Sequence, residues 1–416
     1  MAIGTVEKLY FSRDTKMYVK LATFFWEIPV LDGFSFSQAS NSTEITINEA
    51  ENSAGESKRA RQLFNDSLAP AEFSFSTYMR PFLSQGSSFH SGVTGSDDQA
   101  NHHAVEEVLW ALMATKTHGY TRGTNDFSFD SFTNNTTSLA IDFSDSNSAT
   151  LQEAEFYFVL GGTPNGASNA TITYQLKKAV LNEASIDFDI DGLATINWSG
   201  FASEIVEFDS HSADINAALL SSGTAVITNE GVNATNNFIR NRASTIALQS
   251  AAGTATRTAF AGGSSADAGK YGLTLTGGNI TISNNITFLT PETIGAVNVP
   301  FAHVTGARSV SGSLQCYLGV DQTASEDIGT SADFFRDAAT TAARNIVTNQ
   351  FTLDIDIGGG TAPNVLFDMN QVHLEIPVHN VEDTIVVETA FHALPSAINA
   401  TDEISTITYK GVTPDA

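Results

Sequence analysis

His103 stands four residues before Glu107, and His373 two residues before Glu375. Four residues on a helix, or two on a strand, put both side chains on one face, so either pair could share a metal or pass a proton. Neither is completed: there is no HExxH run and no third ligand in reach of either spacing. His102 and His103 therefore read as exposed polar positions at the start of a helix, and His373, His379 and His392 as part of a polar strand face. Carboxylates are plentiful, with Asp187, Asp189 and Asp191 alternating along one segment and Asp354 and Asp356 along another. Glycoside hydrolysis needs two carboxyl groups facing each other across a substrate. A row on one face of one strand suits a solvated surface instead. Gly358-Gly359-Gly360 is followed by no Lys-Ser/Thr helix that would cradle a phosphate, and Gly-x-Ser-x-Gly does not occur. Cys316, in the alternating run Ser313 to Leu318, reads as a small buried strand residue and has no second cysteine to pair with. No catalytic, cofactor-binding or metal-binding residue is assigned.

The chain of 416 residues is long enough for two domains, or for one with large insertions. Acids outnumber bases 46 to 20, for a formal net charge of -26. Nucleic-acid affinity comes from Lys and Arg neutralising phosphates, so this balance opposes DNA binding while leaving DNA transit open. The start, MAIGTVEKLYFSRDTKMYVK, has charges throughout and no apolar signal region, and no apolar run approaches the roughly 20 residues that span a bilayer. The glycosylation patterns at Asn41 and Asn134 are expected by chance in a chain this rich in Asn, Ser and Thr.

These residues sit on elements that are mainly β. Phe34 and Phe36, and Phe73 and Phe75, alternate with Ser, while Ile186, Phe188 and Ile190 alternate with Asp, as do Leu353, Ile355 and Ile357. Such alternation marks half-buried antiparallel strands. Helical spacing predicts a helix over His102 to Lys116, with Val105, Val108, Leu109, Leu112 and Met113 on one face. A second is expected over Ser331 to Arg344, with Ser331 as cap and a stripe of Phe334, Ala338 and Ala342. The elements recur in order: a strand pair around a long loop, a helix, a strand (Ser138 to Phe143, then Phe351 to Ile357), and a closing hairpin ending in Gly200-Phe201 and in Ala390-Phe391. The expected organisation is a first unit over 1–208 with a long loop 41–70, a linker or surface insertion over 209–270, and a second unit over 271–416 with a long loop 288–311. Short strands are expected within the insertion, at Thr224 to Thr228 and Ser244 to Leu248.

Residues 279–318, NITISNNITFLTPETIGAVNVPFAHVTGARSVSGSLQCYL, set two alternating strands around a long loop bearing Pro and Gly. This stretch resembles the tail tube proteins of long-tailed, siphovirus-like bacteriophages, and SIDFDIDGLATINWSGF at 185–201 supports it in the first half. The resemblance is best over 273–394 and weaker over about 24–202. It implies two tandem β-sandwich domains of tail-tube type, each with a flanking helix. The implied role is the major tail tube subunit, a non-enzymatic virion protein whose trimeric, pseudo-hexameric rings stack into a hollow channel for DNA ejection. The implied partners are further copies of itself, a length-setting protein and a tail terminator. DNA would pass without specific binding, no membrane or cofactor would be involved, and assembly would take place in the bacterial host cytoplasm. Candidate lumen-facing acids are Asp187, Asp189, Asp354 and Asp356. Candidate inter-subunit loop residues are Arg59, Arg61, Pro291, Pro300, His303 and Arg308. The alternatives are a distal-tail or tail-terminator ring protein, and a β-rich surface-binding module.

Overall fold

The structure, a computed structural model, describes residues 15–21, 24–45, 53–56, 62–83, 101–114, 120–122, 127–129, 132–143, 151–160, 172–207, 226–227, 237–250, 270–291, 298–319, 328–336, 351–381 and 384–412. Strands dominate it, as the alternation requires. In the first half these are β1 (Lys16–Leu21), β2 (Phe24–Ile28), β3 (Ser35–Ser37), β4 (Ser40–Ile45), β5 (Gln62–Leu68) and β6 (Ala71–Tyr78). After helix α1 (Glu107–Ala114) come β7 (Ala154–Leu160), β8 (Ile172–Asp189), β9 (Thr195–Ala202) and β10 (Glu204–Glu207). The second half has β11 (Thr245–Ser250), β12 (Lys270–Tyr271), β13 (Leu275–Ser283), β14 (Ile286–Leu289), β15 (Ala302–Thr305) and β16 (Ser309–Tyr317). It continues with β17 (Phe351–Ile357), β18 (Asn364–Leu374), β19 (Val378–Val381), β20 (Ile385–Ala393) and β21 (Thr406–Lys410).

One series of strand pairings occurs twice. In the first half β2 pairs β1, β1 pairs β7, β7 pairs β8, and β8 pairs both β9 and β10; β9 then pairs β6, and β6 pairs β3. In the second half β12 pairs β11, β11 pairs β17 and β17 pairs β18. There β18 pairs both β20 and β21, its continuation β19 also pairs β20, and β20 leads through β16 to β13. The irregularities coincide too. The β7–β8 register shifts between Ala154 and Phe156, and the β17–β18 register between Phe351 and Leu353. A hairpin interrupts each half at the same point, β4–β5 between β3 and β6, and β14–β15 between β13 and β16.

The expected long loops 41–70 and 288–311 are thus largely hairpin and returning strand. The segment Leu139–Asp142 lies beside β21 in the sheet, and it is β7 that occupies in the first half the place β17 has in the second. The 209–270 stretch is not all linker: β11, whose Ile246 and Leu248 alternate inward, is a full member of the second ladder. Of the short strand expected at 224–228, Val226–Ile227 pairs parallel with β2 and the flanking residues lie outside those described.

The two halves are joined into one sheet where β8 runs antiparallel to β13, from Glu183 opposite Ser283 to Asp189 opposite Gly277. Inward faces meet in one core: Phe73 and Phe75 of β6 pack edge-on against Phe156 of β7, and Trp198 of β9 meets Trp110 of α1 at 4.9 Å between ring centroids. Each such side chain contributes roughly 1.5–3 kcal/mol on burial. Every residue of α1 is buried, so it is a core helix wedged against the sheet and not the half-exposed flanking helix expected. The second helix is described over 331–336. Its cap is Thr330, which exchanges hydrogen bonds with Asp333 in a capping-box arrangement; Ser331 instead ties Gly319 and Tyr317. Ala338 and Ala342 lie outside the described residues.

Candidate functional site

Three regions carry the sequence-derived candidates: the outer face of the joined sheet, the two hairpins, and the polar cluster beneath α1.

On the sheet β3-β6-β9-β8-β13-β16-β20, alternation sends one set of side chains into the core and the other outward. The outward set reads across the strands in rows. One row runs Ser35, Ser74, Ser199, Glu183, Ser283, Ser309; the next Ser76, Asn197, Ser185, Thr281, Ser311, His392; the next Tyr78, Thr195, Asp187, Asn279, Ser313. Neighbours in these rows hydrogen-bond side chain to side chain: Ser35 to Ser74 at 2.8 Å, Ser76 to Asn197 at 2.6 Å, Ser313 to Asn279 at 2.8 Å, and Ser185 to Thr281 at 3.4 Å. Asp187, Asp189, Glu72 and Glu388 add carboxylates, and no Lys or Arg points outward from this sheet, to which β8 contributes its C-terminal part, residues 180–189. Lys177 and Lys178 lie on the N-terminal part of β8, which pairs with β7 and β10, and are taken up by Glu204 and the Phe301 carbonyl. The result is a hydroxyl, amide and carboxylate surface whose groups largely satisfy one another.

Asp354 and Asp356 do not share that surface. They lie on β17, between β11 and β18, with Asp354 opposite Asp368 and Asp356 accepting a hydrogen bond from Asn364 at 2.8 Å. Burial, reinforced by the neighbouring Asp368, pushes the Asp354 carboxyl up to about 6. The expected single set of four lumen acids therefore divides into two pairs, because alternation fixes a residue's face on its own strand but not which ladder that strand joins.

Hairpin β14–β15 folds back over the first half of its own chain. Ile286 and Phe288 pack with Leu151 and Val180, against Phe201. His303 tucks under Phe288 with its side chain 6% exposed and Nδ1 3.4 Å from a Glu153 carboxylate oxygen, and Lys178 Nζ donates to the Phe301 carbonyl at 2.9 Å. Arg308 is buried, donating to the Ala114 carbonyl at 2.9 Å and to Asn284, with its guanidinium over the Phe143 ring. Pro300 is also buried, whereas Pro291 is exposed. His303, Arg308 and Pro300 are thus spent inside the chain, since the hairpin lands on the first half and not in open solvent. Arg59 and Arg61 lie outside the described residues.

Hairpin β4–β5 is exposed along most of its length, with Leu63 and Phe64 at 62% and 60% exposure. Its base meets the second hairpin's connection, where Leu68 N–H donates to the Asn298 carbonyl at 2.8 Å. Leu289, Val299, Phe301 and Val304 are exposed on the second hairpin.

The histidines at α1 are not at an exposed helix start. His102–Ala104 is a short strand paired with Pro81–Leu83, and His103 is fully buried with Nδ1 3.0 Å from the Glu107 carboxylate. Asn134 donates to His102 O and to Glu107, which removes it as an open acceptor for sugar. Glu106 accepts from Arg80 N–H, and Tyr409 of β21 accepts from Trp110 Nε1 at 2.6 Å. Burial pushes the Glu106 carboxyl up to about 7. These groups satisfy one another inside the protein, and among the described residues no group of three or more His, Cys, Asp and Glu could hold a metal. Sequence reading missed the cluster because Arg80, Glu106 and Tyr409 are far apart in the chain. Gly358 and Gly359, at positive φ, form the turn from β17 to β18. His373 and His392 face each other across β18 and β20 at the rim of the polar sheet.

No family model matches the chain. Along 401 residues it is 27% identical to tail tube protein pb6 of Escherichia phage T5, an alignment covering 94% of this chain and 74% of that one. The chain is a homologue of a phage tail tube protein. Its role is structural and not enzymatic. A solved structure, the sheath/tube terminator of an extracellular contractile injection system (PVC) in its extended state, overlaps 49% of this chain and 99% of its own. At a TM-score of 0.26 and 11% identity that overlap bears no weight. No helix among the described residues is long and apolar enough to cross a membrane.

Proposed function

We propose that the chain is the major tail tube subunit of a long-tailed phage, and that its halves are two copies of one tube unit. Three chains then supply six units to a ring, and stacked rings enclose the channel through which DNA leaves. The observation that carries this reading is the outer sheet face without Lys or Arg, which spans both halves. Phosphate contacts by cationic side chains give non-specific DNA affinity, so a wall of hydroxyls, amides and carboxylates lets a polyanion slide by. Asp187 and Asp189 belong to this wall; Asp354 and Asp356 are withdrawn from it.

The repeated pairings support the duplication, as does one reciprocal exchange. On adjacent strands Phe73 lies opposite Gly200 in the first half, and in the second Gly312 lies opposite Phe391, with aromatic and glycine in swapped positions. A Cβ on Gly200 would come 2.6 Å from the Phe73 ring, and one on Gly312 2.7 Å from Phe391. Contacts between rings fall to the exposed parts of the hairpins, with Leu63, Phe64, Leu289, Phe301 and Val304 as apolar anchors and the exposed Pro291 at the end of β14. A length-setting protein and a tail terminator are the expected further partners, with assembly in the host cytoplasm.

Negative-stain electron microscopy of the purified chain tests this reading. Hollow filaments of uniform width support it, discrete rings that never stack favour a terminal ring component, and single chains under all tail-assembly conditions overturn it.

A further inference from the structure

At one end of the junction between the halves, three parts of the chain enclose a polar cavity of about 210 Å³, lined by Asp189, Asn241, Arg242, Ser244 and Thr276 among others. Asp189 ends β8 of the first half, and Thr276 lies in β13 of the second. Asn241 and Ser244 belong to the segment leading into β11. That segment is held on the turn after β8, where Asn241 N–H donates to the Gly192 carbonyl at 3.2 Å and Ala194 N–H to the Ile239 carbonyl at 3.0 Å.

The backbone brings oxygens together here. The β13–β16 register shifts between Leu275 and Gly277, so Thr276 is the extra residue of a bulge and has no residue opposite it. Gly277, opposite Asp189, has no side chain; a Cβ there would stand 4.0 Å from Asp189 Oδ1. Asn241 Oδ1, Ser244 Oγ and Thr276 Oγ1 are buried, and none has a hydrogen-bond partner. Asn241 is 8% exposed, and its Nδ2 lies toward Gly192, 3.8 Å from where a Cβ would be, which turns its oxygen to the cavity. Asp189 accepts from Ile190 N–H at 2.6 Å with Oδ1 and keeps Oδ2. Arg242 is engaged by Asp191, Nη2 to Oδ1 at 3.0 Å, so two carboxylates outweigh one guanidinium.

An amide oxygen and a carboxylate only accept, and hydroxyls can present lone pairs beside them. Unpaired buried oxygens are costly, and the occupant that satisfies several at once in a negative surrounding is a hard cation. We propose that this cavity is a calcium site, with Asp189, Asn241, Ser244 and Thr276 as ligands and water completing the shell. One carboxylate among neutral oxygens places it at the weak end of calcium affinities, about 10⁻⁴–10⁻³ M, and the irregular set suits Mg²⁺ poorly because that ion requires a near-ideal octahedron. The ion ties both halves and the segment between them at one point, so it stabilises the folded chain by mass action. This inference concerns the single chain and does not depend on the tube reading.

Calorimetric titration of the chelator-stripped chain with CaCl₂, in excess KCl to screen its surface acids, tests the site. One saturable site is expected, weaker with MgCl₂, together with a higher thermal unfolding midpoint in millimolar CaCl₂. Asp189→Asn and Thr276→Val, both close to the parent in shape, are expected to weaken binding at least about tenfold. Asn241→Asp turns an amide acceptor into a carboxylate and is expected to tighten it, a gain that a damaged fold does not produce. Asp187→Asn removes the same charge from a neighbouring position on the polar face and is expected to leave the affinity unchanged. Equal weakening by Asp187→Asn and Asp189→Asn would mean calcium on surface acids only and overturn the site. Absence of saturable binding by the parent, or Asn241→Asp binding no tighter than the parent, would overturn it as well.

Discussion

The two hairpins arise at the same point in their halves and meet opposite fates. Hairpin β14–β15 is pressed onto the first half, sinking Phe288 and His303, while β4–β5 stands clear with Phe64 at 60% exposure. The difference lies in what stands beside them. The second half has the first half of its own chain as a neighbour, and β4–β5 has no such cover among the described residues. In the proposed ring its counterpart neighbour belongs to another copy, and the exposed apolar groups are where that neighbour is expected.

The largest expected effect probes the reciprocal Phe–Gly exchange that equates the halves. A Cβ at Gly312 would lie 2.0 Å from the Asn279 carbonyl oxygen, which belongs to the backbone of a paired strand and has little freedom to give. Gly312→Ala is expected to lower unfolding stability in urea by about 4 kcal/mol. The double variant Phe73→Gly with Gly200→Phe, which copies the second half's arrangement into the first, is expected to be more stable than Gly200→Phe alone. Failure of that rescue would break the equivalence.

Next come the hairpins themselves. Phe288→Ala is expected to cost about 3 kcal/mol in the isolated chain, as for a buried aromatic elsewhere. Phe64→Ala is expected to cost under about 0.5 kcal/mol there, and to show its effect as a raised concentration threshold for assembly. Equal effects on the isolated chain would mean that the two hairpins are equally docked.

The buried cluster offers a pH test confined to the interior. Glu106 holds its proton up to about 7 in the folded chain against 4.5 when unfolded, so the folded state binds the extra proton between these values. Its contribution is complete below about pH 4.5 and is lost as pH rises through 7. Glu106→Gln is expected to flatten the fall of stability over that window, by on the order of 2 kcal/mol. An unchanged slope would show that Arg80 holds the carboxylate ionised.

The smallest effect on stability is expected at the polar face. Asp187→Lys with Asp189→Lys should leave the exposed strand end within about 0.5 kcal/mol of the parent while making assembled filaments retain DNA at low salt. Filaments that bind DNA no better than the parent would argue against this face lining the channel.

Much of the fold was legible in the sequence because alternation is a local signal. Phe73, Phe75, Ile186, Ile196, Leu353 and Ile355 all point inward as their spacing requires. What alternation could not supply is which strands become neighbours. That is why alternation groups Asp354 with Asp187, why it matches Leu139–Asp142 to β17 in place of β7, and why the strand expected at Ser244 to Leu248 is assigned to an insertion and not to the second ladder, where β11 sits. His303 and Arg308 were misplaced for a related reason: a loop's polar residues look free until the surface beneath them is known. His103 and Glu107 were correctly paired by spacing, but only the burial of α1 reveals them as part of the core.

The central claim is that six like units, two from each of three chains, close one ring of a tube. Electron cryo-microscopy of the assembled protein, reading the number of chains per ring, tests it most directly. Three chains enclosing a hollow channel with a pseudo-six-fold wall is the expected result. Six chains per ring, or two halves of the chain in unlike surroundings, would contradict it.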